Sequence, residues 1–412
     1  MKIIVTGATG LVARHIVPYL HSQGVNLVLV GRSTLTLKEI YPELQSCDYE
    51  DLEDHLLGAD ALLHLAVRNN DQQGTLADFR DVNVELVKRL VTQAQNASLP
   101  YFCQISTLHT QNQINDVSGT TPYAQSKAEA EAYLSTVPGI KVLTLRLAAV
   151  YGKDQYTGKL GLLYKVPKML RPIVFKMLAA LRPTTHADLI GPAVLHAVQN
   201  AQSQQSEEYP AEPIQVTDGQ KDNWLYAGVM FTIDLLFVLF VVGLLWWLLI
   251  GVWIMVKLTS DGPGILAQER VGKNGSIFKC YKFRTMFAGT KQAGTHNLTT
   301  ASITKVGHIL RKTKIDELPQ ILNILRNEVS LIGPRPSLPV QKELIEARRV
   351  RGVLSVKPGI SGWAQIQGID MSKPIRLAQM DADYIARRSI PFDLKIMIAT
   401  AIGRGQGDKV NT

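Results

Sequence analysis

Asp316 and Glu317 stand side by side in the run Lys314-Ile315-Asp316-Glu317-Leu318-Pro319-Gln320, ahead of apolar Ile321, Leu322 and Leu325 at helical spacing. The spacing predicts a helix with Pro319 in its first turn, where a missing N–H costs nothing. A helix start attracts anions, yet two carboxylates do not bind a phosphate unaided. They make sense if they hold a cation, or if one of them attacks phosphorus. An isolated acidic pair would be an ordinary helix cap.

A second constellation lies in the first half. Tyr123 and Lys127 are four apart in Tyr123-Ala124-Gln125-Ser126-Lys127, which puts a phenol and an amine on one helix face. An ammonium near a phenol lowers its pKa, so the tyrosine can trade a proton with a sugar carbonyl or alcohol. A hydroxyl from Ser106-Thr107, at the end of the preceding apolar run, can hold the same oxygen. Further upstream, Thr6-Gly7-Ala8-Thr9-Gly10-Leu11-Val12-Ala13 follows strand-like Ile3-Ile4-Val5 and opens an apolar helix face. Gly7 and Gly10 allow a tight turn and let a pyrophosphate approach the backbone at a helix N-terminus, with Ala13 in the third position.

The elements that must position these groups are legible in outline. Apolar runs at Leu27–Val30, Ala61–Ala66, Tyr101–Ile105 and Val142–Leu145 recur at βα spacing, which predicts a doubly wound parallel sheet. Residues 202–222 are rich in Gln, Ser and Glu and read as a boundary. Leu235 to Val256 is an uncharged, almost wholly apolar run, long enough at about 1.5 Å per residue to cross a core of roughly 30 Å. The three cysteines, Cys47, Cys103 and Cys280, lack metal-ligand spacing and suit a reducing compartment. The strand-like start leads us to expect no secretory signal. Charge is uneven: residues 223–412 hold 25 Lys and Arg against 13 Asp and Glu, and residues 1–222 hold 19 against 22. A basic half beside a membrane segment, without a nucleic-acid-binding motif, points to anionic lipid and diphosphate substrates.

Five runs frame the acidic pair. Asp261-Gly262-Pro263-Gly264, Gln268-Glu269-Arg270-Val271-Gly272 and Tyr281-Lys282-Phe283-Arg284-Thr285-Met286 precede it. Ser330-Leu331-Ile332-Gly333-Pro334-Arg335-Pro336 and Lys357-Pro358-Gly359-Ile360-Ser361-Gly362-Trp363-Ala364-Gln365 follow it. In this order they closely resemble the bacterial sugar transferases called monotopic phosphoglycosyl transferases, over residues 223 to 403. The resemblance implies transfer of a sugar phosphate from a nucleotide sugar to a polyprenyl phosphate, with Mg2+ held by Asp316 or Glu317 and Asp316 as nucleophile. Arg335, between two prolines, can aim its fork at a phosphate with little entropy to lose. Lys282, Arg284 and Arg311 are further candidates for phosphate binding. A re-entrant membrane helix is also implied. The proline often found at its break is absent here, and Gly243 or Gly251 offers a bend.

The first half, Met1 to about Gly219, resembles the extended short-chain dehydrogenase/reductase family of sugar-nucleotide epimerases, dehydratases and ketoreductases. The glycine turn, the hydroxyl after a strand and the Tyr/Lys pair carry the resemblance. Asp48 after a third strand, Asn83, Arg146-Leu147 leading to Tyr151-Gly152, and His186-Ala187-Asp188-Leu189 add to it. It implies Tyr123 as acid/base, Lys127 as its partner, Thr107 as the orienting hydroxyl, and Gly7, Gly10, Ala13, Arg32 and Asp48 around the cofactor. Arg32 stands where an acidic residue would bind the ribose of NAD, so NADP is favoured over NAD. Residues 151–216 must supply a shortened substrate lobe. Within them, apolar and basic Leu162 to Arg182 reads as its remnant or as an interfacial helix.

The combined expectation is an α/β chain in three parts. Residues 1–216 form a Rossmann-like, NAD(P)-binding reductase domain. Residues 217–257 form a linker and re-entrant helix, and residues 258–412 a small, mostly α-helical phosphoglycosyl transferase domain. Such a chain would reduce a 4-keto UDP-sugar and pass the product to undecaprenyl phosphate in surface-glycan synthesis. Both substrate sets are cytoplasmic, so a monotopic protein on the cytoplasmic face of the bacterial inner membrane is expected. Its partners would be UDP-sugar, polyprenyl phosphate and membrane lipids, without nucleic acid, and a homodimer is compatible with the sequence. Two other readings of the first domain stay open, a 4-epimerase and a non-catalytic nucleotide-sugar-binding module.

Overall fold

A computed structural model of the chain describes all residues except 109, 111–120, 153–154, 157, 204–211, 260, 288–302 and 404–412. Two compact units divide it: Met1–Phe175 with Pro183–Asp218, and Lys176–Arg182 with Gly219 onward.

In the first unit the apolar runs form β1 (Lys2–Thr6), β2 (Asn26–Val30), β3 (Gln45–Cys47), β4 (Ala61–His64), β5 (Tyr101–Thr107), β6 (Lys141–Leu147), β7 (Ala149–Gly152), β8 (Gln155–Tyr156), β9 (Thr184–His186) and β10 (Ile214–Val216). Seven of these make one parallel sheet in the order β10-β6-β5-β4-β1-β2-β3. Alternate side chains bury on opposite faces. Ile3, Val5 and Leu29 pack with Ile16, Leu20 and Val194 on one face. Ile4, Val28 and Phe102 pack with Leu52, Leu90 and Val91 on the other. Strands covered on both faces read as continuous apolar runs, which is why they were legible. The order reverses between β1 and β4, the switch point at which doubly wound sheets bind ligands beyond the carboxyl ends of their strands. The expected boundary at 202–222 contains a strand: β10 pairs with β6 and completes the sheet. Residues 204–211 of that boundary lie outside the described residues.

The second unit begins with two apolar helices, Trp224–Leu244 and Trp246–Thr259, separated at Leu245. The first is long and apolar enough to cross a membrane. It starts well before Leu235, capped by Asn223, whose Oδ1 accepts the Tyr226 N–H at 3.3 Å. It also contains Asp234, whose Oδ1 accepts the Leu331 N–H at 2.8 Å. A hydropathy reading stops at such a charge; the paired carboxylate lets the helix run through it. Tyr226, Met230, Asp234, Val238 and Val241 form one buried strip at helical spacing. The rest of the helix, including Leu236, Leu239 and Phe240, is exposed.

The expected mostly helical domain follows, and it carries two small β elements. A hairpin joins β11 (Ile265–Val271) to β12 (Ile277–Phe283), and β13 (Ser330–Ile332) runs parallel to β14 (Gly359–Ser361). Asp381 and Asp393 act within the structure. Asp381, on the Pro374–Arg387 helix, accepts Arg348 Nε at 2.9 Å and a second guanidinium N–H at 2.7 Å, both groups being 3% exposed. Asp393 accepts the hydroxyls of Tyr226 and Tyr384, which ties the Ile390–Ala401 helix to the foot of the apolar helix.

Candidate active sites

The Lys305–Thr313 helix ends at Lys314, whose left-handed φ of 58° turns the chain into a 3-10 run, Ile315–Gln320. An α-helix, Ile321–Leu325, follows. Pro319 therefore lies in the 3-10 run and not in the first α-helical turn. It has no N–H to continue an α-helical ladder, so the α-helix begins after it. Asn323 fixes this segment to β12. Its Nδ2 donates to Lys279 O at 2.7 Å, and its Oδ1 accepts the Tyr281 N–H at 3.1 Å. Lys282, next along β12, then donates to Glu317 Oε1 at 2.6 Å. Arg335 donates to the same oxygen at 3.2 Å. The loop bearing Arg335 is held backbone to backbone. A Cβ at Gly333 would lie 2.6 Å from Lys357 O, and one at Gly359 2.0 Å from Gly333 N.

The two adjacent carboxylates differ. Burial would raise the pKa of Glu317, but Lys282 and Arg335 outweigh it and hold the group below its usual range. Asp316 is raised to about 6, first by burial and then by the charge of Glu317, with Lys282, Arg311 and Arg335 opposing. Both are 9% exposed. Glu317 is thus a fixed, ionised group. Asp316 makes no hydrogen bond or ion pair among the described residues and is a strong base for a carboxylate. Arg311 donates to Thr285 Oγ1 at 2.9 Å and its charge reaches Asp316. Arg284 is placed elsewhere, donating to Asp261 O at 2.6 Å against Gly262, where a Cβ would meet its guanidinium at 2.3 Å.

Among the described residues no group of three or more His, Cys, Asp or Glu is placed to hold a metal. Mg2+ takes one or two carboxylates, waters and substrate phosphates in preference to an all-protein cage, so Asp316 with Glu317 fits it only alongside a diphosphate. Bound there, it would neutralise phosphate oxygens.

The first unit gathers its candidates at the carboxyl ends of the strands. Gly7, after β1, has φ +72°, and a Cβ on it would lie 2.4 Å from Ala66 N, so the turn and the segment after β4 touch through backbone. Gly10 starts the Leu11–Ser22 helix without a side-chain cap or an acid in the first turn, and Ala13 is buried beneath it. That leaves a helix start able to take a pyrophosphate, so a dinucleotide fits. Arg32 is exposed after β2. Asp48, after β3, spends one oxygen on the N–H groups of Glu50 and Asp51, at 2.9 and 3.0 Å. Buried Thr107 ends β5.

Tyr123 and Lys127 lie on the Pro122–Leu134 helix, with Lys127 only 2% exposed. The expectation that Lys127 lowers the phenol's pKa does not hold in the protein alone. Burial, then the charge of Asp71, pushes Tyr123 up to about 12. Burial lowers Lys127 to about 8, with Glu131 opposing. A phenol held protonated suits proton donation.

Sequence reasoning missed one support and gave another no role. His64 ends β4 buried, with Nδ1 2.8 Å from Thr6 Oγ1, and burial with the charge of Lys127 keeps it neutral, at about 3. Asn83, named only through the resemblance, sits in a π-helical stretch, Asp81–Glu85. It accepts the Arg68 N–H at 2.9 Å and donates to Ser126 Oγ at 3.0 Å, tying the loop after β4 to the Tyr/Lys helix. A π-bulge needs one extra residue in a helix, which periodicity does not reveal.

A family model described as bacterial sugar transferase matches residues 226–404, and one described as NAD dependent epimerase/dehydratase family matches residues 3–211. The UDP-glucose:undecaprenyl-phosphate glucose-1-phosphate transferase of Escherichia coli (strain K12) is 40% identical over 156 residues, 35% of this chain and 33% of that protein. The uncharacterized sugar transferase EpsL of Bacillus subtilis (strain 168) is 39% identical over 146 residues, 35% of this chain and 72% of that protein. The chain spans 33–40% of the length of the first of these transferase relatives. A solved UDP-N-acetylglucosamine 4-epimerase from Bacillus cereus is 20% identical, covering 56% of this chain and 84% of that one, with a TM-score of 0.40.

Proposed function

Because the chain belongs to the bacterial sugar transferase family and, over its first half, to the NAD dependent epimerase/dehydratase family, we propose that it modifies a UDP-sugar and transfers the sugar phosphate to undecaprenyl phosphate. The observation that carries the transferase reading is the split between the two carboxylates. Glu317 is neutralised by Lys282 and Arg335, and Asp316 is left unbonded and basic. Asp316 attacks the sugar-linked phosphorus, and the phosphorus–oxygen bond to UMP breaks, its electron pair leaving with UMP. A phosphate oxygen of the lipid then attacks the same phosphorus and frees the carboxylate. Lys282, Arg335 and Arg311 steady the phosphate oxygens, and Asp316 or Glu317 would hold Mg2+, which would offset the charge on those oxygens.

In the first unit the reaction is reduction of a 4-keto UDP-sugar. Bound NADPH would supply the hydride, and Arg32 would favour it over NADH. Tyr123 gives its proton to the C4 oxygen, Thr107 orients that oxygen, and Lys127 with Asn83 fixes the helix that bears the phenol. The family description also suits a 4-epimerase, which keeps its nicotinamide bound through turnover. Cofactor retained on purification would favour that reading.

The apolar helix supports a monotopic attachment. It lies along its own unit from Tyr226 to Val241 and does not project from it, and the break at Leu245 fits a segment that enters and leaves by one face. NADPH and UDP-sugars place that face in the cytoplasm.

The deciding experiment is the mass of the lipid-linked product formed from UDP-4-keto sugars with and without NADPH. A product two hydrogens heavier only with NADPH supports both steps. The unreduced sugar on lipid under both conditions removes the reductase reading, and no lipid product from any UDP-sugar removes the transferase reading.

A further inference from the structure

Leu160 to Arg182 contains five basic residues, Lys165, Lys168, Arg171, Lys176 and Arg182, and no acid. It also exposes more apolar side chain than a soluble surface usually leaves in one place. Met169 is 90% exposed, Leu162 and Tyr164 each 53%, and Leu170 47%. In the Arg171–Leu181 helix that follows, Ile173, Met177 and Leu181 are four apart and each about half exposed, which puts them in one stripe. Ala179 and Ala180 of the same helix are buried.

Residues Lys176–Arg182 belong to the second unit, where Ala180 packs with Tyr226 and Met230 at the foot of the apolar helix. Asn223 Nδ2 donates to Lys176 O at 3.2 Å, Gln220 Nε2 to Ala179 O at 2.6 Å, and Lys176 Nζ to Asp222 O at 2.9 Å. Within the second unit, Lys176–Arg182 is therefore fastened to the start of the Trp224–Leu244 helix.

We propose that Leu162–Phe175, in the first unit, is a second membrane-contact surface, which lays Met169, Leu170 and Ile173 into the headgroup boundary of an anionic leaflet. Lys165 and Lys168 would face lipid phosphates. Apolar residues flanked by lysines are the chemistry of an interfacial segment, and each cation near the surface adds to the attraction. This contact is separate from the re-entrant helix and rests on membrane attachment of that helix.

The test uses the full chain in vesicles of mixed phosphatidylethanolamine and phosphatidylglycerol. The native cysteines are buried, so an environment-sensitive fluorophore can be placed on Met169→Cys, with Leu57→Cys as an exposed control. The expected result is a blue-shifted emission at position 169, quenched by nitroxide-labelled lipid and shielded from iodide, with the reverse at position 57. Changing Lys165 and Lys168 together to Glu should reduce the lipid quenching at 169. Iodide access at 169 equal to that at 57 overturns the proposal. So does shielding that persists in detergent and rises with protein concentration, which would make the patch a contact between copies. A probe at Leu239→Cys, in the apolar helix, reports attachment itself. Lipid quenching there without quenching at 169 refutes this surface alone, and loss at both sites refutes the membrane reading on which it rests.

Discussion

Replacing Lys282 with Met should move the pH dependence of transfer, not merely lower its rate. Lys282 Nζ lies 2.6 Å from Glu317 Oε1, and it is the foremost of the charges that lower the pKa of Asp316. Two unit charges about 6 Å apart at an effective dielectric of about 20 interact by roughly 3 kcal/mol. Arg311 and Arg335 remain, and the site relaxes, so about half of that is expected, roughly one pKa unit. The nucleophile must be ionised. Activity is therefore present above the pKa of Asp316 and lost as pH falls through it, near about 6 in the parent. In the variant the acid limb should lie near pH 7, a rate loss of about fivefold at pH 6 beyond any loss at pH 8. Initial rates of UMP release at subsaturating UDP-sugar, in nanodiscs over about pH 5 to 9, report the free enzyme's groups. An acid limb at the same pH in both proteins would refute the electrostatic account of Asp316. A uniform fall across the range would restrict Lys282 to substrate contact.

Tyr123→Phe should stop keto-sugar reduction, read as NADPH oxidation, and leave transfer of a pre-reduced UDP-sugar near the parent rate; an equal fall in both would show that the units do not act independently. Gly7→Ala forces a Cβ to within 2.4 Å of Ala66 N at a φ of +72°, so nucleotide binding, followed by NADPH fluorescence, should weaken at least about tenfold from strain of roughly 1–3 kcal/mol; unchanged binding would mean the turn does not approach the cofactor. Arg348→Met leaves the buried Asp381 carboxylate unpaired and should cost about 3–5 kcal/mol in chemical unfolding of the second unit, with Arg348→Met/Asp381→Leu recovering part of it.

The sheet was legible because its strands are buried on both faces and separated by helices, so Ile3–Val5 or Leu27–Val30 need no partner to be recognised. The helix break at Leu245 was not legible. No proline marks it; Gly243 lies two residues before it, whereas Gly251 sits inside the second helix, and packing supplies the reason. Tyr226 to Val241 pack with Ile321, Leu331 and Ile396, whereas Val252 and Val256 pack with Phe283 and Leu310. Two different partners pull one apolar run into two directions, and neither partner is near in sequence. The acidic pair was visible as chemistry, but its asymmetry was not. It depends on Lys282 and Arg335 arriving from 35 residues before and 18 residues after Glu317. Arg284, two residues from Lys282, looked equivalent in sequence. The strand sends it to the Asp261–Gly264 turn instead.

The most direct test of the central claim is capture of the sugar phosphate on Asp316. The full chain in nanodiscs, given UDP-sugar labelled in the sugar-linked phosphate and no lipid acceptor, should release UMP in an amount no greater than that of enzyme. It should retain the label on a peptide containing Asp316, and lose it to lipid when undecaprenyl phosphate is added; Asp316→Asn should do none of these. UMP release that requires the lipid, with no label left on the protein, would contradict the covalent mechanism.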